Sequence, residues 1–148
     1  MNRTTTRVAA THVDEVLGWE DGVRRACGLL VELGSAQESY ADACVASLHA
    51  NGPYIVLAKG LALAHARPDQ GALGLGLSLV RLTEPTAFGH PTNDPVDLVF
   101  AFSTPDDGGH LVMLRTLATK LGGGLAARLR EAQAPALTGL LAEAVGDV

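Results

Sequence analysis

The sequence predicts an α/β fold: one domain over residues 1–148, with a mixed, mostly parallel β-sheet flanked by helices on both faces. Three observations predict it. Apolar residues recur at three- and four-residue spacing near both ends of the chain and at two-residue spacing in between, so helical stretches bracket a block of strands. The chain is long enough for one sizeable core and shows no repeat or linker that would divide it. Its composition, 47% hydrophobic and 18% charged, suits a packed chain and not a disordered one.

The elements follow in order. Thr11 to Leu17 is a first short strand, with Val13 and Val16 as apolar contacts. Trp19 to Leu33 is a helix whose stripe is Val23, Ala26, Cys27, Leu30 and Leu33. Glu20 and Asp21 suit its positive end, and Gly34 closes it. Ser35-Ala36-Gln37-Glu38 reads as a capping box opening a second helix, with Ala41, Cys44, Val45 and Leu48 inward and Asn51-Gly52-Pro53 as its stop. Tyr54 to Ala58 is a strand, and Lys59-Gly60 turns it into a second one, Gly60 to Ala64, that ends at His65. Arg67 to Gly71 is a polar loop. Leu73 to Val80 alternates leucine with small residues, so a helix or another backbone can approach its small face. Pro85 to Pro95 is a loop, and Val96 to Phe102 is an interior strand broken only by Asp97. After a turn over Ser103 to Gly109, His110 to Leu121 is a helix with Leu111, Leu114, Leu117, Ala118 and Leu121 inward. Gly122-Gly123-Gly124 breaks it, Leu125 to Ala132 is a short helix, and Pro135 opens a last one with Leu137, Leu140, Leu141 and Ala144 inward.

Composition and motifs exclude several classes. A net charge of -5 without a basic, aromatic-interleaved cluster argues against nucleic acid. The N-terminal arm, Met1 to His12, lacks the apolar core of a signal peptide, and no run of apolar residues is long enough to span a membrane, so a cytoplasmic protein is expected. Cys27 and Cys44 form no CxxC pair or zinc pattern, and both fall on apolar helix faces. Gly74-x-Gly76 lacks the third glycine and the strand-to-helix turn of a dinucleotide site, and no GxSxG elbow or HExxH pair is present.

Two histidines stand at element ends that can meet. His65 ends a strand, and His110 opens a helix directly after another strand, where sites collect beyond strand ends. The N–H groups of that helix can face an anion, with Asp106, Asp107 or Gly109 as its cap. One neutral imidazole can attack a phosphoryl group. The second imidazole, the helix end and Arg67 can then hold the phosphoryl oxygens. His12, His49 and His90 read as surface residues.

The stretches Gly52 to Val56, Gly60 to Pro68, Ser78 to Leu82, Asn93 to Val96, and His110-Leu111 with Leu114 and Leu117-Ala118 resemble, over nearly the whole chain, the enzyme IIA component of the phosphoenolpyruvate-dependent sugar phosphotransferase system. The likeness is to its mannitol/fructose-type superfamily and within that to the ascorbate-type branch. The resemblance implies a phosphocarrier with a phosphohistidine intermediate on Nε2. His65 matches the active histidine, which takes a phosphoryl group from HPr and passes it to a cysteine of enzyme IIB, serving membrane enzyme IIC indirectly. His110 matches the second histidine, which helps bind the group. No cofactor or metal is implied. A regulatory module of the same fold, whose phosphorylation state gates partner binding, is the alternative, and the apolar surplus allows a homodimer. Two departures stand out. Ala64 occupies the position where many members have proline, and Ser47-Leu48-His49-Ala50 carries no arginine where mannitol-type members have one. The phosphate clamp therefore differs, with Arg67 or His49 as candidate substitutes.

Overall fold

The computed structural model describes residues 6–145, so the first five residues, including Arg3 of the polar arm, and the last three lie outside the described residues. Among the described residues one strand and two helices precede a run of four strands, and three helices close the chain. These are β1 (Arg7–Val13), α1 (Trp19–Glu32), α2 (Ser39–Asn51), β2 (Val56–Ala58), β3 (Leu61–Ala64), β4 (Gly76–Thr86), β5 (Val96–Ser103), α3 (Asp107–Lys120), α4 (Ala126–Glu131) and α5 (Leu137–Val145).

The sheet order is β1-β4-β5-β3-β2. It is mixed, as expected, but not mostly parallel: β1–β4 and β3–β5 are parallel, while β4–β5 and β2–β3 are antiparallel. The reason is the two short returns. The Lys59-Gly60 turn and the loop from β4 to β5 are too short for crossovers, and a direct return pairs strands antiparallel. Gly60 sits at φ +74°, and a Cβ there would lie 2.6 Å from Arg130 Nη2 and 2.8 Å from Asp97 Oδ1. The turn therefore needs glycine both for its backbone and for its space.

Strand alternation divides the interior into two cores, one on each face. On one side Ala62, Ala64, Val80 and Val99 meet α1 and α2 through Val23, Ala26, Leu30, Tyr40 and Cys44. On the other, Leu63, Leu77, Leu79, Phe100 and Phe102 meet α3, α4 and α5 through Met113, Leu117, Leu129 and Leu141. The small face of β4 does receive a helix. Ser78 Oγ donates to the carbonyl of Ala26 on α1 at 2.7 Å, and a Cβ at Gly76 would stand 2.7 Å from Ser35 Cβ. Asp97, the one polar break in the interior strand, is met by Arg130 (Nη2–Oδ1 2.9 Å).

Several boundaries differ from expectation. The first strand is Arg7–Val13 and not Thr11 to Leu17. It is an edge strand of small and polar residues, and its backbone is held by parallel pairing to β4 and by Thr138 of α5, which binds the Ala10 N–H at 3.1 Å. The Ser35 capping box does not form. Ser35 is buried, its carbonyl accepts from Leu73, Gly74 and Ser103, and α2 begins only at Ser39. Tertiary hydrogen bonds claim the serine before a helix can. Helix α3 starts at Asp107 and turns Met113 and Leu117 inward, leaving Leu111 57% exposed and Ala118 exposed. Leu114 and Leu121 pack against the same core, so the inward stripe is Met113, Leu114, Leu117 and Leu121, centred beside the expected one.

Candidate active site

The site forms where β3 and β5 end side by side. Register places it. Leu61 pairs with Leu98 and Leu63 with Phe100, so the next residues of the same row are His65 and Phe102. Both point to the α3 side of the sheet. The His65 ring stacks on Phe102 with centroids 5.0 Å apart and planes at 26°. Four residues separate Phe102 from the start of α3, whose first turn returns His110 over the same ring at 5.2 Å. The two imidazoles lie 5.2 Å apart, edge to face at 67°.

The structure therefore brings together the two histidines that the sequence singles out. Helix α3 is capped by Asp106, whose Oδ1 accepts from Gly109 N at 2.6 Å. Of the three cap candidates this is the one used, and its carboxylate occupies part of the helix end that an external anion would otherwise take.

The tautomer of His65 follows from its partner. Nδ1 lies 3.0 Å from the carbonyl oxygen of Leu63. A carbonyl can only accept, so Nδ1 carries the proton and the lone pair is on Nε2. Burial beside Phe102 pushes the imidazole below the usual histidine range. The hydrogen bond to Leu63 opposes this in part, and nearby His110 adds to it. A neutral ring with a free Nε2 is the form that attacks an electrophile.

Two neighbours complete the pocket wall and were not legible as site residues. Tyr54, just before β2, presents its ring at right angles to His65, centroids 6.0 Å apart. Its hydroxyl meets Ser47 Oγ of α2 at 2.8 Å. The sequence pattern places Phe102 only in the interior strand. The available signal was scarcity: in a chain with two tyrosines and three phenylalanines, Tyr54 and Phe102 both touch His65.

The other candidates lie elsewhere. Arg67 is exposed, pairs with Asp69 (Nη2–Oδ2 3.2 Å) and lines a cleft of about 440 Å³ with Pro68, Pro105, Asp106 and Asp107. Its guanidinium hydrogen-bonds Asp69 and neither imidazole. His49 packs edge-on against Trp19 at 5.1 Å and so ties α2 to α1. His12 accepts from Arg81 Nε at 2.9 Å, and His90 accepts from Asn93 N at 3.0 Å. Cys27 and Cys44 are buried free thiols, and the adjoining Cys27 together with burial pushes the Cys44 thiol up, away from reactivity. Among the described residues no cluster of His, Cys, Asp and Glu suits a metal, and no helix is long and apolar enough to cross a membrane.

Comparison with known proteins adds the following. The profile of the family described as "Phosphoenolpyruvate-dependent sugar phosphotransferase system, EIIA 2" matches residues 6–133. An ascorbate-specific PTS system EIIA component from Shigella boydii is 38% identical over 92 residues, which cover 62% of this chain. The match spans 60% of the length of that curated relative. The solution structure of a mannitol-specific cryptic phosphotransferase enzyme IIA from Escherichia coli superposes with a TM-score of 0.73 at 25% identity, over 98% of this chain and 93% of that one. A complex of mannitol enzyme IIA with phosphorylated enzyme IIB from Escherichia coli shares the fold, with a TM-score of 0.65 at 19% identity over 96% and 92% of the chains.

Proposed function

The chain belongs to the phosphoenolpyruvate-dependent sugar phosphotransferase system EIIA 2 family, and from that premise we propose that it is a phosphocarrier: His65 takes a phosphoryl group from the phosphohistidine of HPr and delivers it to a cysteine of a cognate enzyme IIB. One observation carries the proposal. The Leu63 carbonyl fixes the proton on Nδ1 of a half-buried, neutral His65 and leaves Nε2 as the nucleophile.

The transfer balances without an added reactant. The Nε2 lone pair forms a bond to phosphorus as the donor's N–P bond breaks, and that bond's electron pair stays on the donor imidazole. The proton on Nδ1 does not move. As His65 turns into a phosphorylated ring, its positive charge is spread towards the Leu63 carbonyl, and the N–H of His110 donates to the phosphoryl oxygens. Delivery to enzyme IIB is the same displacement with a thiolate as nucleophile.

The rim suits large partners. Tyr54, 45% exposed, stands edge-on to His65, and the apolar Leu111 and Val112, 57% and 52% exposed, follow His110 in α3. HPr and enzyme IIB dock in turn on this shallow, partly apolar face. The mannitol enzyme IIA of the same fold is known in complex with phosphorylated enzyme IIB, and the ascorbate-specific relative points to an ascorbate-type enzyme IIB and its membrane enzyme IIC here.

Incubation with phosphoenolpyruvate, enzyme I and HPr tests the proposal. The protein gains the mass of one phosphoryl group, the label is acid-labile, and an ascorbate-type enzyme IIB discharges it. Labelling of His65→Ala at the wild-type level contradicts the assignment. A label that no enzyme IIB removes contradicts the transport role and favours a regulatory module.

A further inference from the structure

We infer that Tyr40 is a positioning residue for phosphotransfer: its buried hydroxyl locks the chain beyond His65 to the strand end that carries Phe102, and so sets the pose of the nucleophilic imidazole. The inference rests on the phosphocarrier reading and adds to it a residue that touches neither phosphate nor partner.

The β3–β5 ladder has its last pair at Ala64–Ala101, one residue short of the histidine. Beyond that point the two strands are joined through Tyr40. Its hydroxyl accepts from the Ala66 N–H at 3.0 Å and lies 2.7 Å from the Phe102 carbonyl, to which it donates. The Ala66 carbonyl is a longer 3.2 Å away. One oxygen thus bridges the residue after His65 and the residue on which His65 stacks. Tyr40 does this from the opposite face of the sheet, out of the α1–α2 core, where its side chain is fully buried. Burial keeps the phenol protonated, because it pushes its ionisation well above the ordinary tyrosine range.

This lock explains a departure in the sequence. A proline before the active histidine would fix the backbone on its N-terminal side, but Ala64 stands there. Here the restraint acts from the C-terminal side, through the Ala66 amide. Misplacing the imidazole by a fraction of an ångström is enough to cost rate, since in-line displacement needs the nucleophile aligned with the bond that breaks.

Single-turnover phosphorylation by phospho-HPr, run on wild type, Tyr40→Phe and Ser78→Ala, tests the role. Ser78 is the control. Its buried hydroxyl also ties α1 to the sheet, donating to the Ala26 carbonyl at 2.7 Å with the Ala101 carbonyl a longer 3.4 Å away, and it bonds neither the chain beyond His65 nor Phe102. Tyr40→Phe is expected to lower the rate at saturating phospho-HPr by about 10- to 100-fold with the half-saturating concentration unchanged, because the docking face is intact. Ser78→Ala is expected to lose thermal stability and keep the rate. A wild-type rate in Tyr40→Phe, or an equal slowing in both variants, overturns the inference. If Tyr40→Phe does not fold, hydrogen exchange at the Ala66 amide in the wild type decides: protection at the level of the β3 amides supports the lock, and exchange at the rate of an open loop overturns it. Failure of wild type to accept any phosphoryl group would instead refute the phosphocarrier reading itself.

Discussion

His65 is a half-buried base held in one tautomer, and both properties make measurable differences. Its folded ionisation lies below the ordinary histidine value of about 6.5, chiefly because burial disfavours the charged ring. Between the two values the unfolded chain binds more protons than the folded one. The stability contribution of His65 is therefore complete above about pH 6.5 and lost as pH falls through the folded value. A ring-proton NMR titration should give a midpoint for His65 below about 6.5, and a midpoint at or above that value contradicts the burial argument. His110→Ala removes a donor beside the attacking ring. It should slow phosphorylation by about 10- to 100-fold with the circular dichroism spectrum unchanged; a rate equal to wild type removes His110 from the mechanism. Both histidines were legible in the sequence, because each stands at an element end and the strand pattern brings those ends together. Tyr54 and Tyr40 were not. One acts through an edge contact and the other through backbone groups of residues distant in sequence, and neither relation leaves a spacing to read. Arg67 is close to His65 in sequence, and its side chain is exposed and pairs with Asp69.

Helix α3 shows how an element carries a site residue. His110 lies in its first turn, so the order of that turn is the order of the imidazole. The Asp106 cap holds the turn through Gly109 N. Asp106→Ala should cost about 1 kcal/mol of stability and lower Tm by about 2–4 °C, and Asp106→Asn, which retains a capping oxygen, should restore most of it. Differential scanning calorimetry checks both, and equal melting of all three proteins contradicts the role of the cap. The inward face of α3 is centred on Met113 and Leu117, with Leu114 and Leu121 beside them, and Leu111 and Val112 stay exposed, because apolar residues surround this first turn and their spacing alone does not say which of them meets the sheet. β1 lies N-terminal to the expected strand for a different reason. An edge strand of Ala, Thr and His has no strong alternation of its own, and its pairing with β4 is a long-range fact. Ser35 shows the same limit, since a capping motif and a buried tertiary hub have the same local sequence.

The whole molecule is a sheet with a core on each face, and the site stands at the edge where both cores end. The α3 side supplies the ring that His65 stacks on, and the α1–α2 side supplies the hydroxyl that fixes the chain behind it. This division was partly legible. Interior strands with apolar residues on both faces require helices on both sides, so the α/β class followed from the sequence. Strand order did not, because order depends on which distant segments pair, and the even split of parallel and antiparallel pairs came from two short returns. The central claim is that the molecule presents one nitrogen of one histidine to a phosphoryl donor. The most direct measurement is nitrogen-15 NMR of histidine-labelled protein after reaction with phospho-HPr. The expected spectrum has the phosphoryl group on Nε2 of His65 with Nδ1 still protonated. A phosphoryl group on Nδ1 of His65, or on His110, contradicts the claim.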